Sequence, residues 1–227
     1  MDSHEAKKAR LADQVKAVTA GSFGIQKDTS NLFRRRSGAE QAKIDVRDFN
    51  RVLAVNPAEG WVEVEGMTPY ATLVDATLKR GTMPCVVPQL KSITIGGAVS
   101  GLGIESSSFR HGLVHETVLE MDVLLATGDV VTCTPDNEHR DLFHGLPNSY
   151  GTLGYVLKLK ARTLPVTGLV RLRHHRHDRP SGFFADLEAK CHSDADFVDG
   201  VIFGPNEFYV TEAHHVASAP ATSDYTF

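Results

Sequence analysis

The chain has 227 residues, 41% hydrophobic, 7% aromatic and 23% charged, which excludes disordered, collagen-like and low-complexity classes and allows one large domain or one and a half. Twenty-four Lys and Arg against 28 Asp and Glu leave a net charge of −4, so no global basic field exists for nucleic acid or an anionic membrane. Cys85, Cys133 and Cys191 form neither a disulfide framework nor a zinc module, and no apolar run reaches signal-peptide or membrane-spanning length; the expectation is a cytoplasmic protein with no transmembrane segment.

In chain order, Leu11, Val15 and Val18 predict a short amphipathic helix with Asp2 and Glu5 as its capping pair. Ile44 with Val46, then Val52 to Val55, read as short strands. Trp61 to Gly66 alternates apolar and acidic residues as a half-buried strand, joined to its predecessor by a turn over Asn56 to Gly60. A helix follows with Pro69 at its first position and Tyr70, Leu73, Val74, Thr77 and Leu78 on one face, ending at Gly81. Thr117 to Thr134 predicts a hairpin turning at Ala126 to Asp129, Asp141 to Phe143 one helical turn, and Tyr155 to Leu164 a strand closed by Pro165. Beyond it come a strand over Leu169 to His175, a helix over Ser181 to Cys191 and two strands around Gly204-Pro205-Asn206. Unequal alternation of strands and helices predicts an α+β fold.

The most informative stretch is Pro88 to Gly112, with five glycines and five serines or threonines between Thr94 and Gly112. Glycine lets backbone N–H groups approach an anion, and hydroxyls add donors, so a bound diphosphate is the reading; tight turns between strands are the alternative. Gly101-Leu102-Gly103-Ile104-Glu105-Ser106 comes close to the Rossmann dinucleotide fingerprint, with Asp122 at the distance of a ribose-binding acid. Ser106 replaces the third glycine, and Ser106 to His111 lacks the small apolar residues of a sheet-packing helix, so that match fails. No phosphate-binding Gly-Lys-Ser/Thr occurs.

The run from Pro88 to Gly112, with Asp141-Leu142-Phe143 and Asn148 to Gly154, resembles the flavin-binding domain of the vanillyl-alcohol-oxidase/PCMH superfamily. Within it, Gly103-Ile104-Glu105-Ser106-Ser107-Ser108 is similar to the delta-24 sterol reductase group. The resemblance runs from about Thr29 to Pro165 and weakly to Val210. It implies a two-subdomain PCMH-type FAD-binding domain over residues 1–165, followed by the start of an α+β cap domain over 166–227, with the chain truncated at its C-terminus.

It also implies which residues bind the cofactor. Thr29, Ser30 and Asn31, with Lys27 and Asp28 before them, correspond to the early diphosphate loop. Thr94, Ile95, Gly96, Gly97, Ala98, Val99, Ser100, Gly101, Leu102, Gly103, Ile104, Glu105 and Ser106 correspond to the main flavin segment. Gly151, Thr152, Leu153, Gly154 and Tyr155 correspond to the segment touching the nucleotide end. The early loop has no histidine, and Leu90 stands where some members carry a cysteine, so the FAD is expected to be non-covalent. Cys85 reads as a small buried residue.

Other conspicuous residues carry weaker expectations. Arg34-Arg35-Arg36, after the early diphosphate loop, is read as a solvated basic run, with offsetting of phosphate charge as the alternative. His174-His175-Arg176-His177 alternates between faces of an extended segment, which argues against a metal site. Glu105, Arg110 and His111 flank the flavin segment and are read as satisfying backbone groups, with proton transfer by one of them as the alternative. No catalytic residue is assigned.

The resemblance implies an FAD-dependent oxidoreductase that reduces a carbon–carbon double bond of a sterol-like lipid, with NADPH as electron donor. The alternatives are a flavin oxidase or dehydrogenase of an alcohol, lactone or hydroxy acid, and a flavin-binding fragment without a complete active site.

Overall fold

The structure is a computed structural model that describes residues 3–18, 23–28 and 42–223. Helix α1 spans His4–Lys16. Its N-cap is Ser3, whose hydroxyl accepts a hydrogen bond from Ala6 N at 3.2 Å, rather than a pair built on Asp2, which lies outside the described residues. Lys7, Leu11 and Val15, at spacings of four, form its buried face. Strands β1 (Phe23–Gln26) and β2 (Ala42–Asp45) pair in parallel as a separate two-stranded sheet.

The main sheet is antiparallel, in the order β3 (Val52–Asn56), β4 (Trp61–Glu65), β8 (Tyr155–Pro165), β6 (Val118–Leu124), β7 (Val130–Cys133). Short β5 (Thr82–Pro84) pairs with the far end of β8. Both predicted hairpins form, with Gly60 and Gly128 supplying positive φ at their turns. Helix α2 (Tyr70–Leu78) begins one residue later than expected, because Pro69 sits in extended conformation as the N-cap. Helices α3 (Ile95–Gly101), α4 (Ser108–His111) and α5 (Arg140–Gly145) are short. The main core joins Val62 and Val64 of β4, Leu73 of α2, Ile95 and Val99 of α3, and Met121, Val123, Val156 and Leu159 of β6 and β8.

A third sheet follows, antiparallel in the order β10 (Phe197–Gly204), β11 (Glu207–Val216), β9 (Leu169–His177). Helix α6 (Pro180–Cys191) covers one face, burying Phe183 against Val198, Phe208 and Val210. Thus the expected α+β architecture is present. Among the described residues no helix is long and apolar enough to cross a membrane.

The half-buried reading of β4 fails at Glu65, which is 0% exposed because α1 covers the face expected to meet solvent. Lys7 Nζ donates to both Glu65 oxygens at 2.9 Å, Arg51 N donates at 3.0 Å, and His4 Nδ1 lies 3.0 Å away. Beside it, Asp122 on β6 accepts from Thr132 Oγ1 at 2.7 Å and faces Lys8 at 3.2 Å and Lys158 at 3.7 Å. Asp122, at the spacing of a ribose ligand, is therefore part of the helix dock. Burial opposes ionisation of both carboxyls, but their hydrogen bonds and cations win: Glu65 is held down to about 2, and Asp122 is also held well below the carboxylate range.

A lowered native pKa contributes stability above the ordinary value near 4.5, lost as pH falls toward about 2. Lys7→Ala leaves the Glu65 charge buried without its main cation and is expected to cost about 3 kcal/mol in urea denaturation. The acid-unfolding midpoint of the same variant, followed by circular dichroism, is expected to move to higher pH, because Glu65 then protonates earlier.

Candidate functional site

The glycine run becomes a helix rather than a wrapping loop. Thr94 adopts extended geometry and caps α3 through Gly97 N, which donates to its hydroxyl at 3.3 Å. Ile95 N donates to Thr68 O at 3.1 Å, Gly96 N to Gly66 O at 2.8 Å and Ala98 N to Thr94 O at 2.9 Å. The first turn of α3 therefore spends its N–H groups inside the protein. The N–H groups of Gly103 and Ile104, past the helix, have no partner among the described residues.

Close backbone approach explains the glycines at this junction. A Cβ at Gly66 would lie 2.0 Å from Val156 O, and one at Gly96 would lie 2.7 Å from Gly66 O. Three main chains, from β4, α3 and β8, thus meet without side chains between them.

In front of this junction lies a groove of about 610 Å³. Thr94, Gly96, Gly97, Ala98, Ser100, Gly101, Leu102, Gly103, Ile104 and Glu105 form one wall. Gly151, Tyr155, Tyr150 and Val156 form another, while Ile25, Lys27 and Met67 close it from the side of β1. Tyr150 N donates to Ser100 O at 3.0 Å, tying the 146–154 loop to α3.

Of the residues expected from the resemblance, Ile95 and Val99 point into the core, and Thr152, Leu153 and Gly154 lie outside the lining. Ser106 lines a neighbouring depression instead. Thr29, Ser30 and Asn31 lie outside the described residues, as do Arg34, Arg35 and Arg36, although Lys27 just before them reaches the groove. Sequence reasoning did not single out Ile25, Met67 or Val156 as lining residues. Tyr150 sits inside the Asn148 to Gly154 motif, and its place directly before Gly151 is the local signal that marks it.

Backbone strain concentrates at this groove. Leu102, Asn148 and Tyr150, with φ of 67°, 60° and 50°, are the non-glycine positive-φ residues among those described. Leu102 and Tyr150 line the groove, and Asn148 belongs to the same loop as Tyr150. Conformations of this kind cost roughly 1–3 kcal/mol each and persist where surroundings over-determine them.

Among the described residues, Lys27 and Glu105 are the charged side chains of the lining. Burial raises the Glu105 carboxyl above its ordinary value, and Asp199 adds to the shift, although Glu105 accepts from Gln89 N at 3.2 Å. Arg110 turns away, donating to Ala195 O and Ser193 O at 2.9 Å each. The histidine run of β9 is equally occupied: His174 contacts Thr211, His175 Glu212 and His177 Asp186. Cys85 is buried, its thiol reaching Arg162 O at 3.5 Å and pushed up by burial.

A glycine-walled groove, main-chain donors with no partner among the described residues and a lysine suit a dinucleotide that carries both a flat apolar ring system and a diphosphate. The family model for an FAD binding domain matches residues 25–134. That match agrees with the PCMH-type FAD-binding domain of the vanillyl-alcohol-oxidase superfamily that the sequence motifs imply. It is similar to delta(24)-sterol reductase of Arabidopsis thaliana, 30% identical over 177 residues that cover 74% of this chain and 32% of that protein. It is likewise similar to the Homo sapiens delta(24)-sterol reductase, 31% identical over 164 residues covering 69% and 30% of the two chains. Cytokinin dehydrogenase 7 of Oryza sativa subsp. japonica is 33% identical over 150 residues, covering 64% and 28%. The chain spans about a third of the length of these curated relatives.

The junction geometry separates two glycines of one helix. Gly96→Ala pushes a methyl into the Gly66 main chain and is expected to destabilise by about 1–3 kcal/mol. At Gly101 a Cβ would meet Tyr150 Cε1 at an ordinary 3.7 Å, so Gly101→Ala is expected to be neutral or slightly stabilising. Thermal denaturation of the two variants side by side checks the contrast.

Proposed function

We propose that the groove holds FAD non-covalently and that the chain contributes the flavin-binding part of an oxidoreductase, with residues 1–165 as the FAD-binding domain and 166–227 as part of a cap. The observation that carries this reading is that three segments far apart in sequence, at Lys27, Thr94–Glu105 and Tyr150–Tyr155, line one groove. Lys27 and the Gly103 and Ile104 N–H groups are suited to the diphosphate, with the early loop at Thr29, Ser30 and Asn31 continuing from Lys27. Gly96, Gly97, Gly101 and Gly103 leave room for a large planar group against the α3 wall, and Tyr155 and Met67 offer apolar contact. The absence of histidine and cysteine from the lining among the described residues supports non-covalent binding.

FAD, when bound, supplies hydride chemistry at its ring system. What this chain's residues do is hold and orient that ring, keep water from the α3 wall through Leu102 and Ile104, and present the Glu105 carboxyl at the groove edge. The names of the sterol reductase relatives support reduction of a carbon–carbon double bond in a sterol-like lipid, with NADPH as donor by the same resemblance. The cytokinin dehydrogenase relatives favour a second reading, in which the flavin takes hydride from an organic substrate.

Purified protein mixed with FAD and freed of excess is expected to show visible flavin absorbance that acid precipitation releases quantitatively into the supernatant. Colourless protein would overturn the reading, and flavin retained in the pellet would overturn non-covalent binding. Anaerobic addition of NADPH is expected to bleach the bound flavin; bleaching by a cytokinin-like amine and not by NADPH would favour the dehydrogenase.

A further inference from the structure

The first turn of α1 brings a histidine into the buried charge cluster behind the groove. His4 lies between two carboxyls, with Nδ1 3.0 Å from Glu65 and Nε2 3.9 Å from Asp122, and its ring meets Phe49 edge-on at 5.7 Å. Nε2 is buried and has no hydrogen-bond partner among the described residues. Either neutral tautomer therefore turns one ring lone pair toward a carboxylate, whereas the imidazolium presents an N–H to both. We propose that α1 is a pH-dependent latch behind the groove, held down while His4 carries both ring protons and released as one leaves, and that its release loosens the wall formed by Ile25, Met67 and Tyr155. The coupling to cofactor rests on the reading that the groove holds FAD; the latch itself does not.

Other charges crowd the same cluster from every side. On α1, Lys7 pairs with Glu65 and the Asp48 carbonyl, Lys8 with Asp122 and Glu5, and Arg10 with Asp48. From β8, Lys158 faces Asp122 at 3.7 Å and Glu63 of β4 at 2.8 Å, with Glu120 of β6 adding to its surroundings. Arg51, just before β3, lies 3.5 Å from Glu65. The three lysines oppose a further positive charge, but each is divided between two acceptors. Burial also opposes the charged ring, yet Asp122 and Glu65 outweigh burial and Lys158, so His4 holds its proton to higher pH than the ordinary 6.5. A raised histidine pKa contributes docking free energy that is complete below about 6.5 and is lost as pH rises through the raised value. The carboxyls act in the opposite sense, contributing above about 4.5 and failing on acidification. Helix α1 is thus held most firmly between those limits, and His4 governs its release on the alkaline side. Leu11 and Val15 share a core with Phe49 and Leu157, and Ile25, Met67 and Tyr155 pack on that core while lining the groove. Docking of α1 and filling of the groove order the same three side chains, so by linkage each favours the other.

Hydrogen exchange of the full chain without cofactor, read by mass spectrometry and corrected for the intrinsic pH dependence of amide exchange, tests the latch. Protection of the α1 amides is expected to fall at least about threefold between about pH 6 and pH 8.5, while α2 stays unchanged over the same range. His4→Gln has no titratable proton and is expected to show weaker α1 protection at the lower pH and no fall across the range. His4→Lys stays charged throughout and is expected to keep α1 protected at both ends, which separates loss of charge from loss of the imidazole. FAD affinity, read by ultrafiltration, is expected to weaken over the same pH range in the unmodified chain and to stay constant in His4→Lys.

Protection of α1 that is flat with pH in the unmodified chain, or a fall that persists in both variants, would overturn the latch while leaving FAD binding intact. A latch that responds as expected beside an FAD affinity that does not change would overturn its coupling to the groove. If the protein takes up no FAD at any pH yet the exchange pattern and its loss in the variants hold, the latch stands and the flavin reading fails.

Discussion

The site depends on a backbone contact in which side chains take no part. The end of β4, the start of α3 and the first residues of β8 come together at Gly66, Gly96 and Val156, where Gly96 N donates to Gly66 O and Gly66 N to Leu157 O, both at 2.8 Å. Any Cβ at Gly66 would intrude on Val156 O, so the close approach exists only because that residue is glycine. This contact sets α3 against the sheet and thereby opens the groove along the helix's other side. A wall built from main chain is low and flat, which suits a large planar ligand better than a wall of branched side chains.

The same sheet is held from the other direction by charge. Helix α1 carries Lys7 into contact with Glu65 and Lys8 into contact with Asp122, while its Leu11 and Val15 pack with Ile44, Phe49 and Leu157. Ile25, Met67 and Tyr155 pack on that second core and also line the groove. The N-terminal helix therefore supports one groove wall from behind, although it precedes the region matched by the family model. Buried ion pairs of this kind are weak contributors to net stability but severe when half-removed, which makes them better at fixing register than at adding free energy.

Strain and function coincide here. Leu102 and Tyr150 hold positive φ on opposite walls, and the Tyr150 N to Ser100 O bond connects the loop of one to the helix preceding the other. Both side chains are exposed, so the two conformations are held by main-chain bonds such as this one rather than by packing around the side chains. Beyond Ile104 the chain turns directly into α4, whose Arg110 fastens the third sheet through the carbonyls of Ser193 and Ala195. Groove and third sheet are thus linked by one short stretch of chain.

The order of strands and helices was legible from residue pattern, because hairpins at Asn56 to Gly60 and Ala126 to Asp129 and the helix over Tyr70 to Leu78 are decided by turn chemistry and local periodicity. The flavin family was legible too, carried by motifs at Pro88 to Gly112 and Asn148 to Gly154. Local signals failed where the partner is distant. Lys7 and Glu65 are 58 positions apart, and each alone reads as a solvent-facing charge. The glycine run reads as loop until Thr68 and Gly66 supply acceptors that let Ile95 to Gly101 close as a helix. What tertiary structure alone decided is which surfaces meet: that requires long-range packing, which no local pattern encodes, and it is there that Lys27, Glu105 and Tyr150 become neighbours around a single groove.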